Sequence, residues 1–247
     1  MGPRRIFALV VAVYVLSASA ALGEAGHAHA ITSLRVVQAP TPRFTVPRYD
    51  TSGTYPQVQG GSTSLIAVNH ALRQAVLDEQ QSYAVSARKA VRTGNPYRGV
   101  FRTGVVRRFL SASTSVVSAL IPLRELYPGG NDGDGWIAVT VRVPSGKGVG
   151  LGQLFNDPAA ALPRLAGVWL GRLTDGERTH CVANYLGFYS PSLRHYRNFA
   201  LTPTGIAIGF WQVPACERLA AIVPYAALRG YLSPLGRQLI AAVRPAD

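Results

Sequence analysis

Residues 198–223 read NFALTPTGIAIGFWQVPACERLAAIV, and this stretch decides how the C-terminal half is built. "NFAL" and "IAIGFW" are β-favouring runs separated by Thr202-Pro203-Thr204-Gly205, which suits a type I turn with Pro at its second place and Gly at its fourth. The stretch therefore predicts a hairpin. Ile206, Ile208 and Phe210 alternate onto one side of its second strand. A loop holding Cys216 follows, and "LAAIV" supplies a third strand. Downstream, Pro224 opens a short helical turn that ends at Gly230. Ser233-Pro234 then sets a capping hydroxyl and a first-turn proline at the start of a final helix.

Working upstream, "WIAVTVRV" (136–143) puts Ile137, Val139, Val141 and Val143 on one face and Trp136, Ala138, Thr140 and Arg142 on the other. That period predicts a strand with one buried side. "PSGKG" turns the chain back, and a helix is predicted from Pro158 to Leu170. "GVFRTGVVRRFLSA" (99–112) and "STSVVSALIPL" (113–123) read as two long strands. Leu65, Val68, Leu72 and Val76 recur at three and four, predicting a long helix that runs toward Val91 before the "TGNP" breaker. Ser62 or Ser64 is expected to cap it. Between Ile31 and Gly61, "LRVVQ" and "RFTVPRY" lie among prolines and glycines and read as short edge strands. Helices crossing an antiparallel or mixed sheet define the α+β class.

The N-terminus carries an export pattern: Arg4 and Arg5 precede an apolar run from Ile6 to Leu16, with A-x-A sites ending at Ala20 and Ala30. Residues 1–30 are therefore expected to be a signal peptide, cut after Ala20 or Ala30, with an uncleaved anchor as the alternative. No other run approaches the length of a spanning helix, so a secreted or envelope-associated body is expected. The formal charge is +13, from 25 basic and 12 acidic residues, and all but Lys89 and Lys147 of the basic ones are arginine. No acid stands between Glu79 and Glu125, an interval that holds Arg98, Arg102, Arg107 and Arg108. These four are the expected partner-binding residues. The partner would be an anionic envelope polymer, lipid headgroups or an acidic protein. Nucleic acid is not expected, because the chain has no recognition motif for it.

Cys181 and Cys216 are the two cysteines, 35 positions apart. In an oxidising compartment they are expected to pair, tying a strand near "THCVANYL" to the loop after "IGFWQV", worth about 3–4 kcal/mol by chain entropy. The competing role is Cys216 as a nucleophile with His180 or His195 as base.

The C-terminal run, together with "AAIVPYAALRGYLSP" (220–234), resembles a family of exported bacterial domains of obscure function. That family includes mycobacterial secreted immunogenic proteins and the lysozyme-binding extracytoplasmic part of certain anti-sigma factors. "VRVPSGKGVGLGQLFNDPAAALPRLA" (141–166) and "YPQVQG" (55–60) extend the likeness over roughly Tyr55 to Pro234. The resemblance implies a β-grasp-like α+β architecture, with a sheet wrapped around a long helix. It divides the chain into an extended segment 31–54, an N-terminal α+β subdomain 55–145 and a C-terminal subdomain 146–247 similar to the anti-sigma-factor part. Many relatives carry Gly-Gly-Ala-His-Pro before the strand matching "WIAVTVRV"; here Pro128 to Trp136 keeps glycines and lacks the His. Only Met1 to Arg5 precede the apolar run, too few for a cytoplasmic sigma-binding part, so the regulator role is not expected.

Some mycobacterial relatives are described as carboxylesterases, which raises a hydrolase alternative. His195 in "LRHYRNF" is the best base, with His180 and His70 behind it, but no G-x-S-x-G elbow nominates a serine. "NDGDG" (131–135) offers oxygen ligands on what reads as a glycine-rich turn, without the ligand number that calcium needs. No metal and no cofactor are expected. The leading expectation is a non-enzymatic binding module of the cell envelope.

Overall fold

A computed structural model of the chain describes residues 34–44, 46–60, 65–94, 98–106, 108–126, 132–183, 189–210 and 219–244. All of them belong to the compact unit Thr32–Asp247. The architecture is α+β, with a six-stranded mixed sheet and a second sheet of three antiparallel strands.

Strand β1 (Arg35–Pro40) pairs antiparallel with β2 (Tyr49–Gln59), which runs parallel to β3 (Gly99–Thr103). A parallel pair needs a crossover, and α1 (Ile66–Arg92) supplies it. β2 was expected as short edge pieces, yet it has a neighbour on either side. Residues Tyr49 to Gly53 pair with β3, and Thr54 to Gln59 with β1. Gly53 makes the switch, with φ +126° and a position where a Cβ would strike Thr103. Pro56 lies in the half that pairs on one side alone, so its missing N–H breaks no ladder.

The expected helix is present, and Val68, Leu72 and Val76 are buried. Its N-cap is Leu65, without a side-chain cap; Ser62 and Ser64 lie outside the described residues. The single strand expected over 99–112 is two, β3 and β4 (Leu110–Ala112). Both pair antiparallel with β5 (Val116–Leu126), and between Thr103↔Leu123 and Leu110↔Ala119 the chain spends six residues against three. The excess leaves the ladder at Gly104, whose N–H donates to Pro122 O at 2.8 Å. β6 (Asp132–Arg142) pairs with β5 along its full length, so Asp132 and Asp134 of the expected "NDGDG" turn lie in a strand. Asn131 lies outside the described residues.

β6 was expected to bury one face, and its other face is partly covered as well. Ile137, Val139 and Val141 pack toward α1 with Phe101, Ile121 and Leu123. On the opposite face, Trp136 and Ala138 meet Phe109, Leu120, Ala200 and Ala207. That face is covered by the second sheet, β7 (Phe199–Leu201), β8 (Gly205–Gly209) and β9 (Ala220–Pro224). The two sheets are joined by a dry polar contact. Ser118 Oγ accepts from Leu201 N–H at 2.8 Å and lies 2.6 Å from Thr140 Oγ1.

The predicted hairpin stands, but its glycine has another role. Thr202 closes the turn with its side chain, accepting from Gly205 N–H and donating to Gly205 O. A Cβ on Gly205 would lie 2.3 Å from Val223 O on β9.

The outer face of the second sheet carries α2 (Pro158–Leu170), capped by Asp157, which accepts from Ala159 N–H and Ala160 N–H. Trp169 is fully buried there and donates from Nε1 to Ile208 O at 3.1 Å. Its ring stacks on Tyr189 and meets Phe210, with centroids 4.6 Å apart for the latter. The segment "THCV", expected as a strand, belongs instead to a π-helical turn, Glu177–Val182. Thr174 and Glu177 start it as a capping box: Thr174 N–H donates to Glu177 Oε2 and Glu177 N–H to Thr174 Oγ1. α3 (Pro234–Val243) begins as expected, with Ser233 Oγ accepting from Gly236 N–H. Among the described residues no helix is long and apolar enough to cross a membrane.

Candidate functional site

A groove of about 630 Å³ opens where the β7–β8 turn, the end of β9 and α3 converge. Its floor is apolar: Pro203, Pro224, Leu232, Ile240 and Ala241. Around it stand Arg229, Arg237 and Arg244, all exposed, and among the described residues no carboxylate lines it.

Local sequence explains the arrangement. Pro224, extended at φ −60° and ψ 140°, leads from β9 into the 3-10 turn Tyr225–Tyr231, which carries Arg229. Ser233 caps α3 and donates from Oγ to Gln153 O at 2.7 Å, while a Cβ on Gly236 would lie 2.3 Å from Leu154 O. The start of α3 is therefore pressed on the 3-10 turn Leu151–Leu154, which fixes its rotation. Arg237, Ile240, Ala241 and Arg244 then share one helical face by their spacing of three and four.

The guanidinium groups are permanently charged. Among the described residues, none of the three is in an ion pair; Arg237 Nη1 donates to Leu232 O at 2.6 Å. Tyr225 forms part of the wall and donates to Thr202 O at 2.6 Å. Burial holds its phenol well above the ordinary tyrosine range, against the opposing pull of Arg244, so it presents a neutral hydroxyl. The groove can attract a negative group at its rim and shelter carbon on its floor.

The residues expected from the sequence lie elsewhere. Arg98 and Arg102 are exposed at β3, and Arg102 sits directly across from exposed Arg124 of β5. Like charges facing across strands are unfavourable, and on its other side Arg124 has the opposite charge of Asp134 across from it on β6. Arg102 Nε reaches Ser52 Oγ at 3.4 Å. Arg108 lies 5.1 Å above the Phe109 ring, out on the excess loop between β3 and β4. Arg107 lies outside the described residues.

His195 does have a serine within reach. Its Nδ1 is 2.9 Å from Ser190 Oγ and 3.0 Å from Ser190 O. The loop between them is anchored by buried Tyr189 and Tyr196, with Tyr196 Oη donating to Tyr189 O at 3.1 Å. Among the described residues no group hydrogen-bonds to His195 Nε2, so no acid stands behind the ring. His180 Nδ1 lies 3.1 Å from Gly176 O, and His70 lines a separate cleft between α1 and β6 with Gln74 and Asp78. Cys181 is buried and is not a free thiol; Cys216 lies outside the described residues. Among the described residues no cluster of three His, Cys, Asp or Glu could hold a metal.

The sequence reading missed Arg229, Arg237 and Arg244. The signal was available: no acid stands between Glu217 and Asp247, the same pattern noticed for 80–124.

By architecture this is a two-sheet α+β domain with an arginine-rimmed groove. No protein-family model matches the chain, and no curated protein matches it. It is similar to the crystal structure of a DUF3298-family member from Bacteroides fragilis NCTC 9343, at 11% identity and TM-score 0.49, covering 87% of this chain and 98% of that one. It is likewise similar to a DUF3298-family protein from Pseudomonas aeruginosa PAO1, at 13% identity and TM-score 0.48, covering 87% and 97%. Neither name states an activity.

Proposed function

We propose that this chain is an exported, non-enzymatic binding protein of the cell envelope whose partner is anionic. The observation that carries the reading is the groove lined by three arginines that, among the described residues, meet no carboxylate. The packing of one face of α1 against the large sheet supports a β-grasp-like description and a relationship to the exported family of secreted immunogenic proteins and anti-sigma-factor domains. A positive body is poorly steered toward lysozyme, itself basic, and well steered toward acidic polymers or headgroups.

Cosedimentation with anionic cell-wall material tests this. The bound fraction is expected to fall at least severalfold between roughly 0.05 and 0.5 M salt, as screening shortens the reach of exposed charges. Arg229→Gln with Arg244→Gln is expected to weaken binding further. Binding that ignores both salt and the variants would overturn an electrostatic partner.

The export reading includes a Cys181–Cys216 bridge, supported by the burial of Cys181. Thiol titration of the denatured, unreduced protein is expected to find no free thiol; two titratable thiols would overturn the bridge.

The Ser190–His195 contact favours a second reading, a serine hydrolase with His195 as base. Against it, Nδ1 is shared with the carbonyl of the same residue, a geometry that also suits simple loop closure. Hydrolysis of a short-chain nitrophenyl ester that disappears in both Ser190→Ala and His195→Ala would establish it. The expected result is no turnover above buffer.

A further inference from the structure

We infer that the groove holds a single-chain amphiphile with a phosphate monoester headgroup, the phosphate at the arginine rim and the hydrocarbon on the floor; this rests on the anion-binding reading above. Three guanidinium groups around one groove call for more than one negative charge in a compact head. A phosphate monoester supplies up to two charges and three acceptor oxygens that match the guanidinium fork.

The floor decides the rest of the ligand. Pro203, Pro224, Ile240 and Ala241 offer no side-chain hydrogen bond, so a polar wall polymer would lose its hydration there without replacement. An alkyl chain would lose nothing and would cover apolar surface. The volume, about 630 Å³, lies within the range of small-molecule sites. A bilayer surface is the poorer occupant. Among the described residues the large apolar side chains that are exposed, Ile66, Val85, Val105 and Leu193, stand on other parts of the fold, and none lines the groove. The ligand must therefore leave its aggregate and enter the recess as a single molecule.

Calorimetric titration of the purified chain with soluble probes tests this: dodecyl phosphate below its aggregation threshold, butyl phosphate, inorganic phosphate, dodecanoate and dodecyl maltoside. Dodecyl phosphate is expected to bind at least tenfold more tightly than any of the other four. Arg229→Gln combined with Arg244→Gln is expected to cost at least tenfold in that affinity, and Ala241→Glu, which places a carboxylate on the floor, a similar factor. All three positions are exposed, so melting temperatures should stay close to the parent's. Equal affinity for dodecyl, butyl and inorganic phosphate would overturn the amphiphile and leave the anion reading standing. Equal affinity for dodecyl phosphate, dodecanoate and dodecyl maltoside, unmoved by the arginine variants, would overturn both. If no probe binds, the inference falls, and the wall-material experiment alone decides the wider reading.

Discussion

Trp169→Ala is expected to lower the stability of the folded chain by about 3–5 kcal/mol, the range for emptying a large aromatic site in a well-packed core. Trp169 is 0% exposed and makes ring contacts with Tyr189, Tyr196 and Phe210. The hole would be walled by three aromatic rings, of which Tyr189 and Tyr196 are tied together by the Tyr196 Oη to Tyr189 O bond, which limits how far they can move to fill it. Ile208 O, now accepting from the indole N–H, also loses that donor. For a domain of this size the melting temperature should fall by roughly 10 °C. Trp169→Phe keeps part of the volume and should cost less than half as much. Urea unfolding of the two variants checks the order, and a loss below about 1 kcal/mol for Trp169→Ala would show that the aromatic cluster is not a principal support of the C-terminal half.

Gly205→Ala is expected to destabilise by about 2–3 kcal/mol, the usual cost of forcing a carbon into packed space. Sequence logic alone gives the opposite sign: alanine in a strand stiffens the unfolded chain and should help by a few tenths to 1 kcal/mol. The difference arises because the new Cβ would meet Val223 O and the Ile222 side chain, pushing β8 from β9. Backbone cannot swing aside as a long side chain can. Since the β7–β8 turn and the end of β9 both border the arginine groove, the same change should weaken anion binding. A neutral or stabilising result in thermal melts would show that the strands separate there without penalty.

The parts of the fold that were legible are those whose cause is local. Asp157-Pro158 and Ser233-Pro234 announce two helix starts by capping chemistry, and both helices begin where those residues place them. The hairpin around Thr202 was readable from proline and glycine, although the glycine also makes room for a neighbouring strand. Thr174 and Glu177 carried an equally local signal, the capping pair three residues apart, and reading "THCV" as strand overlooked it. What could not be read depends on distant partners. Nothing within "WIAVTVRV" reveals that Trp136 will be roofed by β8, since Gly209, which makes room for the indole, lies 73 positions away. The break at Gly104 answers to Pro122 on another strand. Arg229, Arg237 and Arg244 look like ordinary surface charges along the chain, and only the folding of α3 against the 3-10 turns gathers them around one recess. Of the four arginines singled out by their acid-free interval, Arg102 lies on β3 and Arg108 on the loop that leaves the ladder after it.

The Ser118 hydroxyl has a bearing on how the two sheets can move. Sliding the smaller sheet along the larger by one side-chain repeat would carry Leu201 N–H away from its acceptor and leave a donor facing alkyl groups, with no water to rescue it. The seam between the sheets is thus keyed to one alignment. Creep along it is blocked, and the amide of Leu201 should exchange its proton only when the halves part altogether.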